Sequence, residues 1–152
     1  MCGILGAAAS SNVSSRQWLS SGSDAMKHRG PDHKGHWRSD DERVELAHRR
    51  LSILDLSSAG HQPMQDSLGV FTIAFNGEIY NFAELRRDLV RKGAAFRSTS
   101  DTEIILEAYR AWGTDCLAHL NGMFAFALYD SEQEVLLLAR DRAGEKPLFY
   151  HY

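Results

Sequence analysis

Apolar and polar positions along the chain predict several short strands. The small and apolar run from Gly3 to Ala9 predicts a buried strand, and the alternation from Val44 to His48 predicts a half-buried one. Val70 to Phe75 is a further β-rich run, which we expect to end at Asn76-Gly77, a dipeptide suited to positive φ. Three successive strands are predicted towards the end of the chain, at Met123–Tyr129, Val135–Ala139 and Leu148–Tyr152.

Three segments have the spacing or the end signals of helices. Arg16 to Lys27 carries apolar residues about one turn apart. The second helix is predicted to begin with the capping pattern of Asn81–Glu84 and to end at Lys92-Gly93, and the third to begin with Ser100–Glu103 and to end at Gly113. Strands, then helices, then strands again favour an α+β domain with mostly antiparallel sheets over a wound parallel sheet.

Two loops interrupt this pattern. Gly-Pro with an adjacent Asp makes His28–Asp32 a defined loop. Leu51–Leu56 is apolar and leads to a turn at Ser57–Gly60, and Gln62–Met64 is predicted to lie in the loop beyond.

Length and composition indicate one globular domain. The chain has 152 residues, of which 43% are hydrophobic, and a net charge of -3 at pH 7. The mild acidity and the lack of a Lys/Arg run argue against nucleic acid or a membrane surface as partner. No apolar run reaches the length of a membrane span and no secretory signal precedes the domain, which predicts a cytoplasmic protein. Cys2 and Cys116 are more simply explained as free thiols than as a disulfide.

Cys2 is the first candidate for chemistry. Removal of Met1 would place a thiol and a free α-amine on one residue. The thiolate is the reactive form of cysteine, and an α-amine has a pKa of about 7.7–8.0, so the amine can take the thiol proton without a separate histidine. The alternative is an ordinary buried terminal strand with a Cys in second place by chance.

Four further residues match what a cysteine nucleophile acting on an amino-acid amide requires. The tetrahedral oxyanion needs donors in place, which the Asn76 amide and the Gly77 N–H can supply. An α-carboxylate calls for a guanidinium and an α-ammonium for a carboxylate, which Arg50 and Asp101 can supply. Each also has a structural explanation. Arg50 could be a surface strand residue, Asp101 could favour a helix N-terminus, and Asn76-Gly77 could be only a turn.

Other reactive residue types are not assigned to a site. His28, His33 and His36 span a Gly-Pro loop and lack a recognisable fourth ligand, so they do not predict a metal site. His48 is interpreted as a strand histidine, and Cys116 as a small buried hydrophobic residue.

Several ordered motifs together resemble a known family. They are Met1–Ile4, Arg29–Asp32, His48–Ile53, Gln62–Met64, Phe75–Asn81, Ser100–Glu103 and Asp141–Tyr150. The chain resembles the N-terminal glutaminase domain of class II glutamine amidotransferases, in particular the glutamine-dependent asparagine synthetase group. Ala143 and Glu145 depart from that pattern, which affects the expected contact with a partner domain rather than the chemistry.

The resemblance implies a fold and a domain organisation. The fold would be the four-layer αββα sandwich of N-terminal-nucleophile hydrolases, with two mostly antiparallel sheets and the active site at the strand edge where Cys2 emerges. Residues 2–152 would form an incomplete glutaminase domain, truncated at its C-terminus, with the ATP-dependent synthetase domain absent.

The resemblance also implies roles for individual residues. Cys2 would be the nucleophile with its own amine as base, and Asn76 and Gly77 would form the oxyanion hole. Arg29 would shape the site through its loop. Substrate binding would fall to Arg50 for the carboxylate, to Glu78 and Asp101 for the ammonium, and to backbone groups near Ile53 and Leu54.

The implied reaction is hydrolysis of L-glutamine to L-glutamate and ammonia through a γ-glutamyl thioester on Cys2, with the ammonia supplied to a C-terminal synthetase domain. No metal or cofactor is expected for this step, and ATP and Mg²⁺ only for the synthetase domain. A homodimer is the candidate assembly. Two alternatives stay open: the same glutaminase serving a sugar or another carboxylate acceptor, and a non-catalytic glutamine-binding fragment.

Overall fold

Seven strands form two antiparallel sheets in the computed structural model, which describes residues 2–13, 16–53 and 55–152. The strands are β1 (Gly3–Ala8), β2 (His33–Arg38), β3 (Val44–Arg50), β4 (Met64–Gln65), β5 (Phe71–Ile79), β6 (Gly122–Asp130) and β7 (Val135–Arg140). One sheet has the order β1-β3-β2 and the other the order β4-β5-β6-β7.

Helices cover the outer faces of both sheets. They are α1 (Arg16–Ala25), α2 (Phe82–Arg91), α3 (Asp101–Trp112) and α4 (Cys116–His119), with 3₁₀ turns at Ser58–Gly60 and Gly113–Asp115. Helix α1 contacts β1 and β3, whereas α2 and α3 pack on the second sheet. The predicted α+β fold with four αββα layers is therefore confirmed.

Strand β5 contributes to the packing on both of its faces. Ile73 and Phe75 lie in the core cluster formed with α2 and α3. Ala74 instead packs against Leu46 of β3, in the smaller cluster between the two sheets. Because successive side chains of a strand point to opposite faces, Asn76 shares the face of Ala74 and is turned towards the first sheet.

The prediction that β5 ends at Asn76-Gly77 is wrong. The strand continues to Ile79, and its register with β6 is unbroken through both residues. Neither residue has a positive φ, so the strand pairing overrides the local preference of Asn-Gly for a turn. Gly77 is instead required by a close approach, since an added Cβ would lie 2.2 Å from the Met123 carbonyl oxygen.

Strand β3 is buried along its whole length, whereas the sequence predicts a half-buried strand. It lies between β1 and β2, with α1 on one face and the second sheet on the other. Its polar residues are therefore buried with partners: Arg38 donates to Glu45, and Arg49 donates to the Ser23 carbonyl at 2.9 Å.

Three further segments differ from the predictions. Strands β2 and β4 fall in segments for which no strand is predicted, because β2 is polar and β4 has only two residues. Leu148–Tyr152 forms no strand, and its aromatic side chains are exposed.

The two predicted capping patterns are only partly present. Ser100 caps α3, but its Oγ accepts from Thr102, and the Glu103 carboxylate turns back to the backbone of Arg97 and Ser98. Asn81 precedes α2 without a side-chain cap bond; its amide bonds instead to the His119 carbonyl. None of the helices in the described part of the chain is both long and apolar enough to cross a membrane.

Candidate active site

A pocket of about 90 Å³ brings together seven of the eight residues that the sequence predicts for the site. It lies where the start of β1, the end of β3, the second half of β5 and the first turn of α3 meet. The predicted residues in its wall are Cys2, Arg50, Ile53, Asn76, Gly77, Glu78 and Asp101. The eighth, Leu54, lies outside the described residues.

Cys2 directly precedes β1 and lies beside the end of β3. The Leu51 N–H donates to the Cys2 Sγ at 3.4 Å, and the Sγ is 3.7 Å from the Leu51 carbonyl oxygen. The residue is partly buried, so its thiol is fixed at the pocket wall and accessible from it. Met1 lies outside the described residues.

The edge of β5 beyond β4 carries backbone donors that side chains satisfy in part. The Phe75 N–H donates to the Gln62 Oε1 at 2.7 Å, and the Ile79 N–H donates to the Asp101 Oδ2 at 3.1 Å. In an antiparallel ladder the N–H groups point alternately to either side, so the N–H of Gly77, midway between these two, points to the same edge.

The partner strand supports this orientation of Gly77. Phe124 lies opposite Gly77 in β6, yet its N–H donates to the Asp141 carboxylate at 3.2 Å and its C=O accepts from the Asp141 N–H at 2.8 Å. Gly77 and Phe124 are therefore a non-hydrogen-bonded pair. No hydrogen bond to the Gly77 N–H is found among the residues that the structure describes.

Asn76 adds a second donor beside Gly77. Its side chain is 6% exposed and makes no hydrogen bond to any described residue. Because Asn76 faces the first sheet, its amide lies on the side from which Cys2 enters the pocket. A side-chain amide and a backbone N–H thus line the pocket with the thiol, as stabilisation of an oxyanion requires.

Arg50 supplies a buried positive charge at the end of β3. Its Nη1 donates to the Ser57 carbonyl at 3.0 Å, and its Nη2 donates to the Asp55 carbonyl. Gly60 makes room for it, since an added Cβ at Gly60 would lie 2.2 Å from the Arg50 Nη2. The loop of residues 55–60 therefore fixes the guanidinium in the pocket wall.

Asp101 supplies a buried negative charge as the first residue of α3. Burial raises the pKa of its carboxyl to about 6, against the opposing effect of the hydrogen bond from the Ile79 N–H. The neighbouring Glu78, which is exposed at the pocket mouth, also raises the Asp101 pKa. The pocket thus carries a carboxylate whose ionisation a bound cation would favour.

His48 connects the two sheets. A carbonyl can only accept, so the His48 Nε2 carries the proton in its 3.0 Å hydrogen bond to the Phe75 carbonyl. Burial lowers the pKa of His48 to about 4, and its Nδ1 has no partner among the described residues. His48 is therefore a neutral donor of the interior.

Residues 2–13, 16–53 and 55–152 contain no group of three or more His, Cys, Asp or Glu residues placed to hold a metal ion. Sequence reasoning did not select several pocket residues, among them Gly60, Gln62, Thr102 and Lys146. Gln62, Thr102 and Lys146 each belong to a motif that carries the family resemblance, and membership of those motifs is the signal that could have selected them.

Comparisons with known proteins show the family to which the chain belongs. The model of the glutamine amidotransferase domain family matches residues 1–152. Asparagine synthetase (glutamine-hydrolyzing) 3 of Bacillus subtilis is 41% identical over 154 residues, which cover 99% of this chain and 25% of that protein. Amidase chry2 of Gibberella zeae is 42% identical over 127 residues, which cover 84% of this chain and 19% of that protein.

A solved structure shares the fold. The glutamine phosphoribosylpyrophosphate amidotransferase from B. subtilis, complexed with ADP and GMP, superposes with a TM-score of 0.67 at 19% identity, over 86% of this chain and 35% of that one. The chain spans 25% of the asparagine synthetase and 19% of the amidase that it matches. With the whole chain matched and the predicted resemblance confirmed, this protein belongs to the glutamine amidotransferase domain family.

Proposed function

We propose that this chain hydrolyses L-glutamine to L-glutamate and ammonia through a γ-glutamyl thioester on Cys2. The observation that carries the proposal is the pocket itself. It combines the Cys2 thiol with the unpaired donors of Asn76 and Gly77, with a buried cation at Arg50 and with a buried carboxylate at Asp101. These groups match the reacting amide and the two charged ends of an amino-acid substrate.

The first half of the reaction forms the thioester. The α-amine of Cys2 takes the thiol proton, and the thiolate adds to the amide carbon of glutamine. The oxygen becomes an oxyanion, which accepts hydrogen bonds from the Asn76 amide and the Gly77 N–H. The ammonium of Cys2 then protonates the leaving nitrogen, the C–N bond breaks and ammonia departs.

The second half releases glutamate. Water gives a proton to the α-amine and adds to the thioester carbon, and the same two donors stabilise the second oxyanion. The C–S bond breaks, and the thiolate recovers its proton from the ammonium. Only these groups and water take part, and we propose no metal or cofactor for this step.

Substrate orientation follows from the charges in the pocket. The Arg50 guanidinium pairs with the α-carboxylate of glutamine, and the Asp101 carboxylate pairs with its α-ammonium. Glu78 adds negative charge at the same end, from a more exposed position. The backbone at Ile53 lines the carboxylate side of the pocket.

We further propose that the whole protein passes the ammonia to an ATP-dependent, Mg²⁺-requiring synthetase domain like that of the asparagine synthetases. The similarity to the B. subtilis protein over 99% of this chain supports this acceptor chemistry. The similarity to amidase chry2 favours, as the second candidate, the same glutaminase serving another acceptor.

Replacing the nucleophile tests the proposal. Cys2→Ala should reduce glutamate release from glutamine to background while the protein still binds glutamine. Cys116→Ala is the matched control, because Cys116 is buried in the core away from the pocket. Turnover retained in Cys2→Ala would contradict the assignment. The intact mass should show that Met1 is absent, since a peptide bond to Met1 would block the amine of Cys2.

A further inference from the structure

We propose that Gln62 is a positioning residue that aims the oxyanion donors of β5; this inference rests on the function proposed above. Within the described part of the chain, Gln62 makes no hydrogen bond to the thiol or to the charged groups of Arg50 and Asp101, and it is only 6% exposed. Its amide spans the gap between β5 and the first turn of α3.

The two hydrogen bonds of Gln62 fix the orientation of its amide. The Oε1 accepts from the Phe75 N–H at 2.7 Å, and the Nε2 donates to the Thr102 Oγ1 at 3.1 Å. A backbone N–H can only donate, so the oxygen must face Phe75 and the nitrogen must face Thr102. The side chain is therefore fixed at both ends.

Phe75 is held on both of its backbone polar groups. Gln62 accepts from its N–H, and the His48 Nε2 donates to its C=O at 3.0 Å. Strand β4 cannot provide these bonds, because its pairing with β5 ends at Met64 opposite Ile73. Two side chains thus replace the missing strand immediately before Asn76-Gly77.

A parallel contact holds β5 on the far side of Gly77. Asp101 accepts from the Ile79 N–H, and it precedes Thr102 in the first turn of α3. The start of α3 is therefore connected to β5 on both sides of Gly77, through Gln62 at Phe75 and through Asp101 at Ile79. These two connections leave the Gly77 N–H as the open donor between them.

The main chain of Gln62 is also confined. Gly35 of β2 faces its carbonyl so closely that an added Cβ at Gly35 would lie 1.7 Å from the Gln62 oxygen. A side chain held at both ends on a confined backbone can set the direction of the next peptide groups. Gln62 therefore determines where the Asn76 amide and the Gly77 N–H point.

Loss of Gln62 should affect the transition state more than substrate binding. The oxyanion exists only after the thiolate has added, whereas Arg50 and Asp101 already contact the substrate in the ground state. A misdirected donor therefore lowers kcat and leaves KM for glutamine nearly unchanged. A merely structural role would instead reduce the fraction of folded, reactive protein.

The test measures glutamate release by the purified protein and its Gln62→Met variant, which keeps the side-chain length and removes both hydrogen bonds. We expect kcat to fall by about ten- to a hundredfold and KM to change by less than about twofold. Gln65→Met is the matched control, because Gln65 is exposed outside the pocket and should leave both constants unchanged.

Two additional variants separate positioning from folding. Gln62→Glu should recover most of kcat, because a carboxyl oxygen can accept from Phe75 while the other oxygen bonds to the Thr102 hydroxyl in either protonation state. Thr102→Val cuts the connection at its other end and should lower kcat in the same direction by several-fold. If Gln62→Met does not fold, the kcat of Thr102→Val decides whether Gln62 is a positioning residue.

Titration of Cys2 with iodoacetamide provides a readout independent of the oxyanion. We expect the same number of reactive Cys2 thiols per chain in Gln62→Met as in the wild type. An unchanged kcat, or a loss of reactive Cys2 in proportion to the loss of activity, would overturn the positioning role. A wild-type protein that binds glutamine without releasing glutamate would instead overturn the proposed function, and the inference with it.

Discussion

Asp101 serves two purposes at the scale of a single residue. Its carboxylate completes the edge of β5 by accepting from the Ile79 N–H, and it offers a negative charge to a ligand. Burial raises its pKa to about 6, so the free pocket resists the ionised form that an ammonium ligand requires. Binding of the ligand and ionisation of Asp101 should therefore be coupled.

This coupling predicts that glutamine binding weakens in acid. The Asp101 pKa of about 6 lies above the ordinary value of 3.8, so the carboxyl gains a proton as the pH falls through 6. The affinity of the Cys2→Ala protein for glutamine should decrease by up to about tenfold per pH unit below 6. Calorimetry between pH 5 and 8 checks this. Asp101→Asn should bind weakly without that slope, and a slope that persists in Asp101→Asn would assign it to another group.

Gly60 makes a prediction about the carboxylate side of the pocket. A Cβ at this position would lie 2.2 Å from the Arg50 Nη2 and 2.9 Å from the Asp55 carbonyl oxygen, so Gly60→Ala must displace the guanidinium. We expect KM for glutamine to rise about tenfold with kcat nearly unchanged, because the pairing with the carboxylate is made equally in ground and transition states. Steady-state kinetics measure both constants. Ser58→Ala is the control, because Ser58 is a nearby residue with an exposed side chain. An unchanged KM in Gly60→Ala would contradict the role of Arg50.

At the scale of elements, the start of α3 supplies two residues of the pocket, Asp101 and Thr102. The Glu103 carboxylate anchors the preceding loop by accepting from the Arg97 N–H at 2.9 Å and from the Ser98 N–H and Oγ at 2.8 and 2.7 Å. These bonds fix the path by which the chain enters the helix.

Glu103→Ala should therefore destabilise the protein. The substitution removes the buried carboxylate and leaves the Arg97 and Ser98 N–H groups without their acceptor. This loss should lower the free energy of unfolding by about 2–3 kcal/mol. Glu84→Ala is the matched control, since Glu84 occupies the same third position of α2 and is exposed. It should change stability by less than about 0.5 kcal/mol. Urea unfolding of both variants checks the difference, and equal effects would show that the loop does not depend on Glu103.

The elements also show what sequence patterns can predict. Helices α2 and α3 follow from local signals, namely end glycines and apolar spacing, and their predicted bounds lie close to the observed ones. Strand β2 and the continuation of β5 through Asn76-Gly77 depend on pairing with distant strands, which local propensity does not encode. Tyr150 and its neighbours are apolar enough for a strand, yet they are exposed and unpaired.

The candidate site, like the fold, is only partly predictable from the sequence. Residue types and ordered motifs were sufficient to select the residues that the structure brings into one pocket, although their roles stay predictions. The importance of Gln62 was not accessible, because it arises from an edge of β5 that β4 leaves uncovered. Such a gap is a property of the sheet and not of any local segment.

At the scale of the whole molecule, β5 joins the two cores, and His48 connects β3 of one sheet to Phe75 in the other. His48 is fully buried, and its pKa of about 4 lies below the ordinary value of 6.5. The unfolded chain thus binds a proton at His48 between these values that the native protein does not bind. The contribution of His48 to stability is present above pH 6.5 and is lost as the pH falls towards 4.

His48→Gln should make the protein less sensitive to acid. Glutamine can still donate to the Phe75 carbonyl but cannot take up a proton. Between pH 7 and pH 5 the free energy of unfolding of the wild type should fall by about 2 kcal/mol relative to that of the variant. Urea titrations at the two pH values measure this difference, in which the opposite effect of Asp101 cancels because both proteins carry it. A difference near zero would show that His48 is not buried in its neutral form.

The brevity of β4 has a consequence for how a small molecule is recognised. An uncovered strand edge ordinarily invites another chain to add a strand and so leads to aggregation. Here Gln62 and Asp101 accept from the backbone N–H groups of Phe75 and Ile79, so the Gly77 N–H is left as the open donor between them. A single carbonyl, such as that of a side-chain amide, could accept from this one donor, whereas an added strand would find the neighbouring donors already occupied.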